Sequence, residues 1–414
     1  MRRANRGLLE RFLGRPPARR RSARPPAVER LEERSLLSAA RPLHALRSHT
    51  PPVKLPRAYQ QINLVSDFPT GVEGVNPQLS DPNLLNPWGL TASPTSPFWA
   101  ADQVSGVSTI YTINSRLGVT KAPLTVTIPK PASTPTPTTG FNPLTGPTGI
   151  VFNGTQDFKI PTPSGGSVPA TFLFATLDGT LAGWNPQSIG GTTAVVVANA
   201  GPREEFTGLA LGQVGTANFL YTADPRSSTG IDVFNASFQP VVLDGVPQGT
   251  GTGFASQAFV DPQLPPGFSP YNIQNIDGHL FVTYTTPASG GGYVAEFDTR
   301  GNFIRQFAGN GSGGPLQAPW GLALAPSDFG RFSNALLVGN FGDGRINAYN
   351  FRTGRFLGQL TDPRGNPIVI PFLWALHFGN GQNAGPTNTL FFTAGIAGQY
   401  HGLLGALQPV HRVR

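Results

Sequence analysis

The chain has 414 residues, including 51 Gly, 42 Pro and no Cys, and only 13% of it is charged. Without Cys there is no disulfide, thiolate metal ligand or cysteine nucleophile, and no run approaches the ~18 apolar residues of a membrane-spanning helix. The formal net charge of +8 is concentrated in residues 1–57, which hold 15 of the 30 Lys/Arg and 4 of the 22 Asp/Glu; the remainder is mildly acidic, which excludes the contiguous basic face of a nucleic-acid binder.

Residues 1–57 read as a disordered Arg/Pro-rich tail, with Pro16, Pro17, Pro25 and Pro26 breaking any long helix. The apolar stretch LLSAA at 36–40 is shorter than the core of a standard signal peptide. The run from Val28 to Ala39, VERLEERSLLSA, nevertheless resembles the "VE-x-LE-x-R-x-LLSA" segment near the N-termini of surface and secreted proteins of budding, complex-envelope bacteria. That resemblance implies export and an extracellular or cell-surface location.

QINLVSDF (61–68) alternates in strand fashion and belongs to no complete unit of its own. From residue 86 a short motif then recurs as NPWGLTAS (86–93), GPTGIVFN (146–153), EFTGLALG (205–212), SPYNIQNI (269–276), APWGLALA (318–325) and PFLWALHF (371–378). Measured between Gly89, Gly149, Gly208, Asn272, Gly321 and Ala375, the steps are 60, 59, 64, 49 and 54 residues, the length of a four-stranded blade with its loops. In the cleanest copy, APWGLALAP is followed by ALLVGNFGDG (335–344), RINAYN (345–350) and RFLGQLTD (355–362), short strands separated by Gly/Asn/Asp turns. The sixth copy runs out after its third strand, GLLGAL (402–407), so 61–68 is expected to complete the last blade and close the ring. The expectation is an all-β, six-bladed β-propeller over 58–410, with insertions at 129–147, 245–253 and 286–292 and a short tail at 411–414.

With QINLVSDFPTG, DPNLLNPWGL, ATLDGTLAGWNP, PWGLALAPSDFG and LLVGNFGDGRINAYN, residues 60–408 resemble one uncharacterised bacterial family of exported proteins similar to NHL-type six-bladed propellers. No activity comes with that resemblance. Many members of the family end in a C-terminal sorting anchor, and this chain departs from them in ending at GALQPVHRVR.

In a propeller, the second-strand tips and the inner-strand starts share one face around the channel. Asp102, Asp178, Asp224, Asn340 and Asp343 fall at those tips, with Asp102, Asp224, Tyr284 and Asn340 in equivalent slots. Carboxylate and amide oxygens from several blades suit Ca2+, making Asp102, Asp224 and Asn340 the candidate metal set; the same side chains also serve to cap their own turns. Trp88, Phe206, Tyr271, Trp320 and Trp374 start the inner strands and form either a rim for a glycan or peptide or wedges packed between blades. His377 and His401 fall in the last blade as possible neighbours.

No nucleophile elbow, H-E-x-x-H or P-loop is present. The composition and the resemblance together lead to a monomeric exported scaffold that binds an extracellular protein, glycan or cell-surface polymer through the channel face, with the question of an enzymatic activity left open. The rival expectation is a Ca2+-dependent hydrolase of the lactonase kind with a channel cation, carried by fold analogy alone.

Overall fold

The computed structural model describes residues 55–71, 74–131, 145–227, 229–243, 254–255, 257–286, 291–309 and 314–411. The chain divides into two units, Met1–Val53 and Lys54–Arg414. The first unit, with its export-type segment, lies outside the described residues, as does most of the 129–147, 245–253 and 286–292 insertions.

Each recurring motif is the inner strand of one antiparallel sheet. In chain order these strands are Pro87–Thr91, Pro147–Phe152, Gly208–Val214, Ser269–Ile276, Pro319–Leu324 and Leu373–Phe378, which begin blades 1 to 6. Each contacts the next, and the sixth contacts the first, so the six sheets form a ring. The protein is a six-bladed β-propeller. Blades 2, 4 and 5 have four strands in meander order, and blade 6 has five, its outermost strand Leu79–Ser80 pairing parallel to Ala58–Ser66. In blade 1, Val119–Lys121 and Val126–Thr127 both pair with the third strand, and blade 3 shows three strands among the described residues.

The second strands are sandwiched between neighbouring blades. Phe98–Asp102, Phe172–Thr176, Ala335–Asn340 and Leu390–Ala394 are accordingly buried at every position, which is why they read as continuous apolar runs and not as alternating ones. The core lies between blades: Leu337, Ile346 and Ala348 of blade 5 pack on Leu373, Leu376 and Phe392 of blade 6.

The recurring glycine has a steric cause. A Cβ on Gly89 would sit 2.5 Å from Thr148 O, and one on Gly149 would sit 2.5 Å from Leu209 N. Cβ atoms on Gly208 and Gly321 would likewise run into Asn272 Oδ1 and Trp374 O. The inner strands of blades 1, 2, 3 and 5 thus approach the next blade's inner strand too closely for a side chain. Blade 4 places Asn272 at this level, and its Nδ2 donates to Trp320 O at 2.8 Å.

The ring closes as the orphan strand implied. Ala58–Ser66 pairs antiparallel with Leu403–Val410, from Ala58 opposite Val410 to Ser66 opposite Leu403, with a bulge at Asn63/Val65. The strand begins three residues before the alternating stretch at 61–68 and ends two before its last residue. Its end is stapled: Ser66 Oγ donates to Gly402 O at 2.6 Å, Gly402 N donates to Asp67 Oδ1 at 2.8 Å, and His401 Nδ1 meets Asp67 Oδ2 at 2.5 Å. Tyr59, 1% exposed, stacks on Phe329 at 4.6 Å and donates its hydroxyl to Phe329 O at 3.0 Å.

Two outcomes follow for denaturant unfolding. Gly149→Ala is expected to cost about 1–3 kcal/mol by overpacking, while Gly166→Ala, whose Cβ meets only Thr162 Oγ1 at 3.4 Å, leaves the midpoint unchanged. Deleting residues 58–66 removes the fully buried Tyr59, Leu64 and Val65 and bares the edge of blade 6. Because each large buried side chain is worth about 2–5 kcal/mol, the truncated chain is expected to lose its cooperative transition; a melt like that of the full chain would contradict closure.

Candidate functional site

At the start of the inner strands the channel is closed by aromatic rings. Trp88 stacks on Trp374 with centroids 3.7 Å apart, and Trp320 meets both edge-on at 6.2 and 5.6 Å. Tyr271 lies 6.0 Å and Phe341 4.3 Å from Trp374. Blades 1, 4, 5 and 6 supply these rings. Trp374, Trp320 and Trp88 are only 1, 4 and 7% exposed, so the inner-strand aromatics form a packed plug, with no open rim of three tryptophans. Phe206 stays apart, against Phe234 of its own blade at 5.9 Å.

Polar pins hold the plug across the axis. Trp374 Nε1 donates to Asn86 Oδ1 at 2.9 Å, Asn86 Nδ2 donates to Gln103 Oε1 at 2.8 Å, and Trp320 Nε1 donates to Thr207 O at 3.1 Å. Among the described residues, the buried Trp88 Nε1 has no partner.

The tip residues occupy the slots read from the repeats. Asp102 pairs with Pro87, Tyr284 with Pro270 and Asn340 with Pro319, each opposite the proline of its inner strand. Their side chains act locally. Asp102 Oδ2 accepts from Thr109 N at 3.0 Å and Thr109 Oγ1 at 2.7 Å; burial and the nearby Asp81 charge push its carboxyl well above the usual range. Asp178 Oδ1 accepts from Thr176 Oγ1 at 2.6 Å. Asp224 Oδ1 accepts from Arg226 N at 2.8 Å, and its Oδ2 accepts from Glu205 N at 3.0 Å. Asn340 Nδ2 donates to Asp343 Oδ1 at 2.9 Å, and Asp343 pairs with Arg345 at 3.2 Å. Tyr284 is buried, and among the described residues its hydroxyl has no partner.

Asp102, Asp224 and Asn340, the candidate cation set, are therefore engaged in separate blades. Among the described residues, the acidic group with ligand atoms within 4.8 Å of one another is instead Glu204, Asp224 and Asp232 of blade 3 and the segment leading into it.

Beyond the plug the channel opens into a cavity of about 350 Å³, and all six inner strands contribute to its wall. Leu90, Ile150, Leu209, Ile273 and Leu376 make much of that wall apolar, and Trp320 forms part of it on the plug side. Thr91, Gln274, Asn275 and His377 supply polar side chains; none of the lining residues is Asp, Glu, Lys or Arg. His377 Nδ1 bonds Phe378 O at 2.6 Å, and the ring sits edge-on to Phe98 at 5.4 Å. Burial lowers the imidazole pKa below its ordinary value, favouring the neutral ring. His401 is engaged elsewhere, paired with Asp67 and stacked on Phe68 at 4.2 Å. Sequence reasoning named His377 but missed Thr91 and Gln274, although each lies two residues past the recurring small position of its strand.

Comparison with known proteins gives relatives of matching extent. Uncharacterized protein R648 of Acanthamoeba polyphaga mimivirus is 30% identical over 347 residues, covering 79% of this chain and 76% of the relative. The chain belongs to the R648 family. Protein L690 of the same virus is 29% identical over 346 residues, covering 79% of this chain and 81% of L690. These relatives are viral, so the bacterial origin implied by the sequence resemblance finds no support in them. No family model matches the chain. Among solved structures, a glucose dehydrogenase aligns with a TM-score of 0.46 and 13% identity over 84% of this chain and 98% of its own. A PQQ-bound aldose sugar dehydrogenase from Streptomyces coelicolor aligns with the same TM-score and identity over 86% and 100%.

In this member of the R648 family, the blade 3 carboxylates make stability pH-dependent. Burial, with neighbouring acids adding to it, raises Asp224 and Asp232 from 3.8 to about 6. The folded chain therefore holds these protons more tightly than the unfolded chain, and their contribution to stability is full below about pH 4 and lost as pH rises through about 6. Melting temperature is expected to fall across that window, and Asp232→Asn to flatten the slope; an unaltered slope in the variant would place the titration elsewhere.

Proposed function

We propose that the chain is an exported binding propeller whose central channel receives a group presented by an extracellular protein, a glycan or a cell-surface polymer. One observation carries this reading: the inner strands of all six blades converge on a single cavity that the tryptophan plug closes at one end. A blind, mostly apolar pocket with a few polar groups is the usual form of a binding site. Export is supported by the Val28–Ala39 segment. The hydrolase alternative draws no support from the channel, because the lining offers no carboxylate to hold a cation or act as a general base.

Binding in the channel is tested by filling it. Leu211 is half-buried on the cavity wall, and Leu211→Trp is expected to weaken capture of an envelope glycan fraction by about tenfold or more, the loss of roughly 1.4 kcal/mol of interaction. A variant that melts like the parent and binds equally well would remove the channel as the site.

A further inference from the structure

Three of the cavity's polar side chains share one level, while Asn272 and Asn275 are bonded to Trp320 O and Leu211 O. Two residues past the recurring small position, the inner strands carry Thr91, Val151, Ala210, Gln274, Ala323 and His377. Blades 1, 4 and 6 are thus polar at this level, and the other three are aliphatic. Thr91, Gln274 and His377 all line the cavity. Among the described residues, the Thr91 hydroxyl and the Gln274 amide have no hydrogen-bond partner, and the only bond from the His377 ring leaves through Nδ1.

That bond sets the chemistry of the remaining ring nitrogen. The Phe378 carbonyl can only accept, so Nδ1 carries the proton. In the neutral imidazole Nε2 is then a lone-pair acceptor, which calls for a donor on the ligand. Gln274 offers both a carbonyl and an amide, and Thr91 a hydroxyl, so a ligand group that both donates and accepts is matched at all three. A carboxylate would face the Nε2 lone pair, and either sign of charge would leave water without a countercharge in the wall.

Size limits the guest as well. At about 350 Å³ the cavity lies at the small end of ligand pockets and holds roughly ten waters' worth of volume, enough for a single ring. Resting on the channel as the binding site, we infer that it selects an uncharged, hydroxyl-bearing ring, the chemistry of one neutral sugar unit at the end of a glycan, with a hydroxyl donating to His377 Nε2 and a second group exchanging hydrogen bonds with Gln274. The aliphatic wall covers the ring's carbon face.

The test uses the full chain and three ring probes of similar size, cyclohexanediol, cyclohexanecarboxylate and cyclohexylammonium, titrated by ligand-observed NMR. The diol is expected to bind most tightly, and Gln274→Leu with His377→Phe to weaken it about tenfold, the effect of unmaking two hydrogen bonds in a desolvated site. A melt of each variant establishes that it is folded, and Val151→Trp and Leu211→Trp block the channel from two different blades. If a charged ring binds as tightly as the diol, or the double variant leaves diol binding unchanged, the sugar-class inference is overturned; loss of that binding on blocking then keeps the channel as the site. Diol binding that survives both blocks removes the channel itself, and failure of every probe to bind the parent chain removes both readings.

Discussion

The close approach of the inner strands at the axis is the constraint on which the rest of the molecule depends. Where Gly89 faces Thr148 O and Gly149 faces Leu209 N, main chain meets main chain with no side chain between them. Inner strands held this close make the channel narrow enough for a handful of indole rings to close it. They also force the second strands between neighbouring blades, where burial on both faces supplies the core. A wider ring would lose the plug, the pocket and the interblade packing together.

Circular closure is the second condition. A ring of sheets has no edge at the axis, but its last blade must be completed from the far end of the chain, and Ala58–Ser66 does this through its ladder to Leu403–Val410. The Ser66, Asp67, His401 and Gly402 contacts fix the register where the strand ends. The contacts that hold the ring shut thus lie on the outer part of blade 6, and the group that faces the cavity, His377, lies on its inner strand. Ring closure and the cavity wall draw on different strands of one blade.

The two ends of the channel divide the labour as well. The plug end is tightly packed: the indole N–H groups of Trp374 and Trp320 are pinned to Asn86 and Thr207, and the Asx side chains bond within their own blades, while among the described residues Trp88 Nε1, Asp102 Oδ1, Asn340 Oδ1 and the Tyr284 hydroxyl stay buried without a partner. The cavity end keeps uncommitted polar atoms within an aliphatic wall and carries no formal charge. Polar groups left open in a partly dry pocket cost stability unless a guest satisfies them; the tryptophans leave no room for a guest at the plug end, and that difference in space is why the binding reading rests on the cavity and not on the face where sequence reasoning had gathered its aromatic and acidic candidates.

The repeat spacing by itself determined the number of blades, the inner-strand starts and the closing strand, because most blades repeat the same steric demand at the axis and leave a small residue at a regular interval, with Asn272 standing in its place in blade 4. The equivalence of Asp102, Tyr284 and Asn340 was legible for the same reason. Whether those tips met one another, and whether Trp88, Trp320 and Trp374 lined an opening or filled it, was not, since both depend on the channel's width and on distances between blades that no local pattern encodes. Thr91 and Gln274 escaped notice because each is unremarkable within its own strand, and only the ring places them level with His377. Tertiary structure alone decided that the aromatic end is shut and the polar level lies beyond it: local sequence sets what each blade is, and the radius of the ring sets what the blades enclose.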